Sequence, residues 1–186
     1  MNKKPKRPKA PAHVPVQRFA AIDFETADYG RDSACAVAVI IAEGGTIVHQ
    51  EYALIRPPRK SFVFTYLHGI SWADVAQKPA FDVLWPKLSA LLDNVDFIAA
   101  HNASFDRGVV AACCAAYGCT GPNIRYVCTM KLARHLWNIR PTKLSDVCAH
   151  FNFKLNHHDA LSDALNCAKI VLEAQKSGVP HSAFLK

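Results

Sequence analysis

Phe19-Ala20-Ala21-Ile22-Asp23-Phe24-Glu25-Thr26 is a short apolar run interrupted by two acids. Such a run predicts a strand, and strand side chains alternate between faces. Asp23 and Glu25 therefore project from one face, about 6 to 7 Å apart along the chain. Two like charges there repel, and in a central strand the pair is costly unless something positive compensates it. A divalent cation is the direct candidate, because hard Mg²⁺ or Mn²⁺ prefers carboxylate oxygens. Taken alone, such a pair is more often a strand end whose carboxylates face water, and it gains meaning only with further acids.

The stretches that follow say what surrounds this strand. Ala36 to Ala42 is another apolar, β-branched run, and Gly44-Gly45 separates it from Thr46 to Leu54, the pattern of a hairpin. Phe81 to Leu92 carries apolar residues at near-helical spacing, with Pro86 marking a nearby start or a kink. Val95 to Ala100 reads as a buried strand, Ser104 to Tyr117 as an Ala-rich helix stopped by Gly118, and Ile124 to Cys128 as a further strand. Helices are expected over Thr129 to Trp137, Leu144 to Phe151 and Ala160 to Gln175. A hairpin followed by alternating helices and strands predicts an α/β fold with a mixed sheet, the first strand central.

Two more polar segments interrupt the apolar pattern. In Ala99-Ala100-His101-Asn102-Ala103-Ser104-Phe105-Asp106, a buried strand delivers a polar turn and an acid at a helix start. An acid there is also an ordinary partner of the helix dipole. In His157-His158-Asp159-Ala160-Leu161-Ser162-Asp163-Ala164, His158 stands five positions before Asp163. On one continuous helix the two would be about 140° apart, so they converge only if His158 lies in the preceding loop. Asp159 reads as a helix cap and His157 as solvent-facing.

The 186 residues, 51% of them apolar, suit one core rather than two. Residues 1 to 18 hold six basic side chains, no acid and four prolines, whereas the other 168 hold 16 basic and 15 acidic side chains. We read residues 1–17 as a disordered basic, Pro-rich arm, 18–178 as the folded domain and 179–186 as a short tail. The arm is able to add phosphate affinity or only solubility. No apolar run has the length of a membrane span and no secretory signal follows the initial charges, so the expectation is a cytoplasmic protein. Seven cysteines, none in CxxC spacing, fit reduced buried thiols rather than a zinc site. Phe62, Phe64, Tyr66 and Trp72 are able to stack on bases, although their spacing suits a strand core.

Read in order, IDFET, HNASFD and HHDALSDA resemble the three motifs of the DEDD-type 3′-5′ exonucleases in their histidine-bearing subgroup, which includes the proofreading epsilon subunits of bacterial DNA polymerase III. His68-Gly69-Ile70 resembles the family's segment near the terminal nucleotide, so the likeness covers roughly residues 18 to 175. It implies a ribonuclease H-like, five-stranded mixed sheet flanked by helices. It also implies that Asp23, Glu25, Asp106 and Asp163 hold two divalent cations, Mg²⁺ or Mn²⁺, and that His158 is the general base. By the same likeness Phe24 and Thr26 line the scissile nucleotide, His68 and Ile70 wedge or stack against the terminal bases, and Asn102 contacts the strand.

The implied reaction is in-line hydrolysis of a 3′-terminal phosphodiester, with single-stranded or frayed DNA as the expected partner and nucleoside 5′-monophosphates as products. An exoribonuclease would use the same site, because sugar discrimination rests on local shape. A binding module without turnover is the reading from another class, and carboxylates facing phosphates argue against it. The chain ends at Lys186 without the segment by which epsilon subunits hold their polymerase, so a stand-alone nuclease or another pairing is expected.

Overall fold

β1 (Phe19–Thr26) is hydrogen-bonded on both sides, which explains why its residues are so apolar. The computed structural model describes residues 17–177, so the proposed arm, apart from Gln17, and the proposed tail lie outside the described residues. β1 pairs antiparallel with β2 (Ala34–Glu43), which pairs antiparallel with β3 (Thr46–Leu54) across the Gly44-Gly45 turn. Both glycines have positive φ, 63° and 81°, which side chains with a Cβ rarely adopt. On its other side β1 pairs parallel with β4 (Phe97–Ala100), and β4 pairs parallel with β5 (Tyr126–Cys128). The order β3-β2-β1-β4-β5 puts the first strand in the middle of a mixed five-stranded sheet, as expected.

Period-two alternation divides β1 between two cores. Phe19 and Ala21 pack with α5 (Thr129–Trp137), α6 (Leu144–Phe151) and α7 (Ala160–Lys176). Ala20, Ile22 and Phe24 face α3 (Phe81–Leu91) and α4 (Ser104–Tyr117). This helix–sheet–helix layering is ribonuclease H-like. Pro86 lies inside α3 instead of at its start, and the helix runs on for five residues beyond it. Burial of Phe81, Trp85 and Leu88 on one face outweighs the one backbone bond that proline forfeits.

Residues 61 to 75 depart from the strand-core use expected of their aromatic side chains. They form a loop with two short helices, α1 (Thr65–His68) and α2 (Trp72–Val75). Tyr66 is 78% exposed there, so its ring does not belong to any core. All seven cysteines are free thiols, five of them buried. Among the described residues no helix is long and apolar enough to cross a membrane.

The loop after β1 is held by a fork of charges. Arg59 donates to Asp28 at 2.7 and 2.9 Å and to both oxygens of Asp32 at 2.8 Å. These bonds, Arg59 first, bring the Asp28 carboxyl from 3.8 down to about 2. A depressed carboxylate stabilises the fold above its unfolded value, and that contribution disappears as pH falls through the folded one. The Arg59 side chain is 40% exposed, which moderates the effect. Arg59→Met should therefore cost about 1 to 2 kcal/mol at neutral pH. In urea titrations the gap between variant and wild type should close as pH drops from about 4 to about 2.

Candidate active site

The polar residues gather where the parallel strands end. Asp23 and Glu25 lie on the face of β1 that α7 covers, and α7 is oriented by its cap: the Asp159 side chain accepts from the Ser162 N–H at 2.8 Å. That places Asp163 on the first turn, over β1. Asp23, Glu25 and Asp163 each offer an oxygen within 4.8 Å of the others. Asp106 arrives from the opposite layer, on the first turn of α4, and is 1% exposed. Its Oδ1 accepts from the Phe24 N–H at 3.1 Å, which ties α4 to the strand between the two acids.

Four carboxylates so close oppose each other's ionisation. The Asp23 carboxyl is held well above its usual range, by burial first and then by Asp106, Asp163 and Glu25. Glu25 is pushed up to about 7 by burial, then by Asp163 and Asp106. Burial also raises Asp106 to about 7, against the opposing Phe24 hydrogen bond. Burial raises Asp163 too, although His157 and His158 pull the other way. Asp163 Oδ1 is buried with no hydrogen-bond partner. Hard oxygen donors, clustered, repelling and including an unpartnered buried atom, fit divalent cations.

His158 lies in the loop before α7 with φ of 63°, an unfavourable value for a residue with a Cβ. Its backbone N–H approaches Asp163 Oδ2 at 3.3 Å, and its ring stacks on His157 with centroids 4.0 Å apart. The ring itself makes no hydrogen bond among the described residues. Burial, then His157, holds its pKa below the ordinary histidine value, so the imidazole is neutral at neutral pH. His157 is exposed, as expected of a solvent-facing residue, yet it also reaches the acid. Its Nδ1 is 3.2 Å from Asp163 Oδ2, because the αL turn at His158 folds the preceding residue back over the acid.

All four acids' neighbours open into one cavity of about 440 Å³. Phe24, Thr26, His68 and Asn102 line it with His158. Ile70 does not: it packs into the core beside Leu54 and Trp72. His68 Nε2 lies 3.2 Å from the Thr26 carbonyl, so that nitrogen carries the proton, and Nδ1 accepts from the Ile70 N–H at 3.0 Å. His68 thus fastens α1 to the end of β1. Phe64, named from the sequence as able to stack on bases, also lines the cavity, as do Leu67, His101 and Lys143, which were not singled out as site residues. Of the last three, His101 alone carried a signal, from its place inside the HNASFD turn. Its Nε2 donates to the Thr142 carbonyl at 3.0 Å, closing the turn against the loop before α6.

An exonuclease family model, RNase_T, matches residues 20–171. The chain belongs to this exonuclease family. Its fold is shared with the nuclease domain of 3'hExo, described as a DEDDh family member, at 17% identity with TM-score 0.72, covering 91% of this chain and 96% of that one. Exodeoxyribonuclease 10 of Escherichia coli (strain K12) is 32% identical over 148 residues, 74% of this chain and 60% of that protein. The PolC-type DNA polymerase III of Thermotoga maritima is 28% identical over 158 residues, 83% of this chain but 12% of that protein. The chain thus spans a minor part of the one and three-fifths of the other. A solved structure of exonuclease X in complex with 5′ overhanging duplex DNA is similar at 26% identity, with TM-score 0.73, covering 89% of this chain and 96% of that one.

The electrostatics predict that the metal-free acid cluster costs stability and that a bound metal restores it. Raised carboxylates cost folding energy once pH exceeds their unfolded values, so the EDTA-treated protein should lose stability as pH rises from about 4 through about 7. Asp23→Asn should raise its melting temperature in EDTA by several degrees and abolish the further rise that Mn²⁺ gives the wild type. Thermal melts at pH 5 and 8 would check both; a variant still stabilised by Mn²⁺ contradicts the assignment.

Proposed function

We propose that this chain is a metal-dependent 3′-5′ exonuclease that removes nucleotides from the 3′ ends of single-stranded or frayed DNA as nucleoside 5′-monophosphates. The observation that carries the reading is the mutually repelling set Asp23, Glu25, Asp106 and Asp163 beside two histidines in one cavity. Without a counter-charge this cavity would repel a phosphodiester, so a site for binding alone gains nothing from it. DNA is the preferred substrate class in this reading because the 32% identical relative is an exodeoxyribonuclease and the 26% identical structure is a DNA complex. A reducing cytoplasmic setting agrees with the seven free thiols.

In this mechanism Asp23, Glu25, Asp106 and Asp163 hold two divalent cations, Mg²⁺ or Mn²⁺. Bound there, such ions would supply Lewis-acid charge that stabilises the phosphoryl group during hydrolysis. His158, neutral at working pH, accepts the proton of the attacking water. The new bond joins that water oxygen to phosphorus, and the bond to the 3′ oxygen of the preceding nucleotide breaks in line. Phe24, buried beneath the cavity, and Thr26 form the wall against the departing nucleotide. His68 keeps α1 at the rim, and Asn102 faces the strand from the turn after β4.

Incubation with 5′-labelled single-stranded DNA and a matched RNA, each with Mg²⁺, Mn²⁺ or EDTA, tests the reading. The expected result is a metal-dependent ladder from the 3′ end of the DNA that Asp163→Ala abolishes. Binding without cleavage of either strand would refute it, and cleavage of RNA alone would reassign the sugar. His158→Ala should slow turnover roughly 10²-fold while metal binding persists. Wild-type turnover in that variant at neutral pH would remove His158 from the base position.

A further inference from the structure

From Arg107 to Ser145 the chain holds six Lys or Arg side chains and no acid. Two of them, Arg107 on α4 and Lys131 on α5, line a small cavity of about 120 Å³. Asn102 lines both this cavity and the active-site cavity, so the two adjoin at the turn after β4. Asn102 adopts φ of 70° there, a conformation that asparagine tolerates.

The cavity is built from donors. Tyr126 of β5 forms part of its wall, is 6% exposed, and has a buried hydroxyl without a hydrogen-bond partner. Burial, and then Asp106, push that phenol well above its ordinary pKa, so the hydroxyl keeps its proton. Ser104 Oγ donates to Asn102 Oδ1 at 3.1 Å, which occupies the amide oxygen and leaves the amide N–H groups available. Among the described residues, neither Arg107 nor Lys131 makes an ion pair or side-chain hydrogen bond. A trapped water would satisfy the Tyr126 hydroxyl but would not explain two unpaired cations converging on one cavity without a carboxylate. An anion answers both features.

We infer that the cavity lined by Asn102, Ser104, Arg107, Tyr126 and Lys131 is a phosphate subsite that takes a backbone phosphate of the nucleic-acid strand adjoining the nucleotide being removed. This rests on the exonuclease reading above. Because the subsite lies outside the cavity of the four acids, it contributes to affinity for a strand and leaves the hydrolytic step unaffected. A free phosphate or a released mononucleotide shares the same chemistry, and the experiment separates these sources.

Two substrates are compared with Mn²⁺ present: the p-nitrophenyl ester of thymidine 5′-monophosphate, which has one phosphate, and a short oligothymidylate. Lys131→Gln should raise KM for the oligonucleotide roughly fivefold to tenfold and flatten the dependence of log KM on log salt by about 0.7. Tyr126→Phe should raise that KM without lowering the melting temperature, because it removes an unpartnered buried hydroxyl. Both variants should hydrolyse the ester at wild-type kcat and KM, whereas a merely structural role would lower activity on both substrates. Unchanged oligonucleotide KM and salt slope in both variants would overturn the subsite. So would inhibition by inorganic phosphate that disappears in the variants while oligonucleotide KM stays constant, since the cavity would then serve free phosphate. Wild-type inactivity on both substrates would instead overturn the exonuclease reading, and fluorescence anisotropy of the labelled oligonucleotide with the same variants would still decide the subsite.

Discussion

The structure depends on two carboxylates being carried into the middle of a sheet. β1 is the third of five strands in the sheet order, and Asp23 follows directly on four residues with no solvent exposure. Ionised acids at such depth are unfavourable unless a counter-charge reaches them. Every neighbouring element bears on that problem. α7 adds Asp163 where a cation would be shared, α4 adds Asp106 but ties its Oδ1 to the Phe24 N–H, and the 157–159 loop holds two stacked imidazole rings beside the cluster. The fold tolerates local instability at this point, which a bound divalent cation would offset.

Rigidity around the cluster comes from polar contacts that cross between layers. His68 links α1 to Thr26, His101 links the turn after β4 to Thr142, and Arg59 gathers Asp28 and Asp32 behind the β1 loop. In each case the side chain uses more than one of its nitrogens, which fixes orientation as well as distance. A site that must hold reacting atoms in line benefits from such anchors, because small displacements are expensive in rate. The β-bulge opposite Glu25 belongs to the same set: it leaves Cys35 unpaired in the register, with its thiol 3.5 Å from the Glu25 carbonyl.

Charge is also arranged more sharply than composition suggests. Outside residues 1–18, basic and acidic side chains are nearly equal in number, yet they are segregated along the chain. Acids occupy the C-terminal half of β1 and the first turns of α4 and α7, whereas the segment from Arg107 to Ser145 has none. Folding brings that basic segment beside the acidic cluster, sharing Asn102 as a boundary. The juxtaposition suits a polyanion whose end is held by metal and whose body meets cations.

The sequence by itself determined the strand that carries Asp23 and Glu25, the hairpin after it, the order of helices and strands, and the family likeness. These are local matters: apolar period, paired glycines and short motifs are written in consecutive residues. It also placed His158 in a loop and Asp163 on a helix, because helical geometry excluded any other way for them to meet. Only the tertiary structure decided which acids share a centre and which stands beside it, that His157 bonds Asp163, that Ile70 turns into the core, and that Tyr126 lines a basic cavity. Those outcomes depend on how layers pack across long sequence separations, 82 residues between Phe24 and Asp106, and no local pattern encodes the angle at which one helix meets one strand.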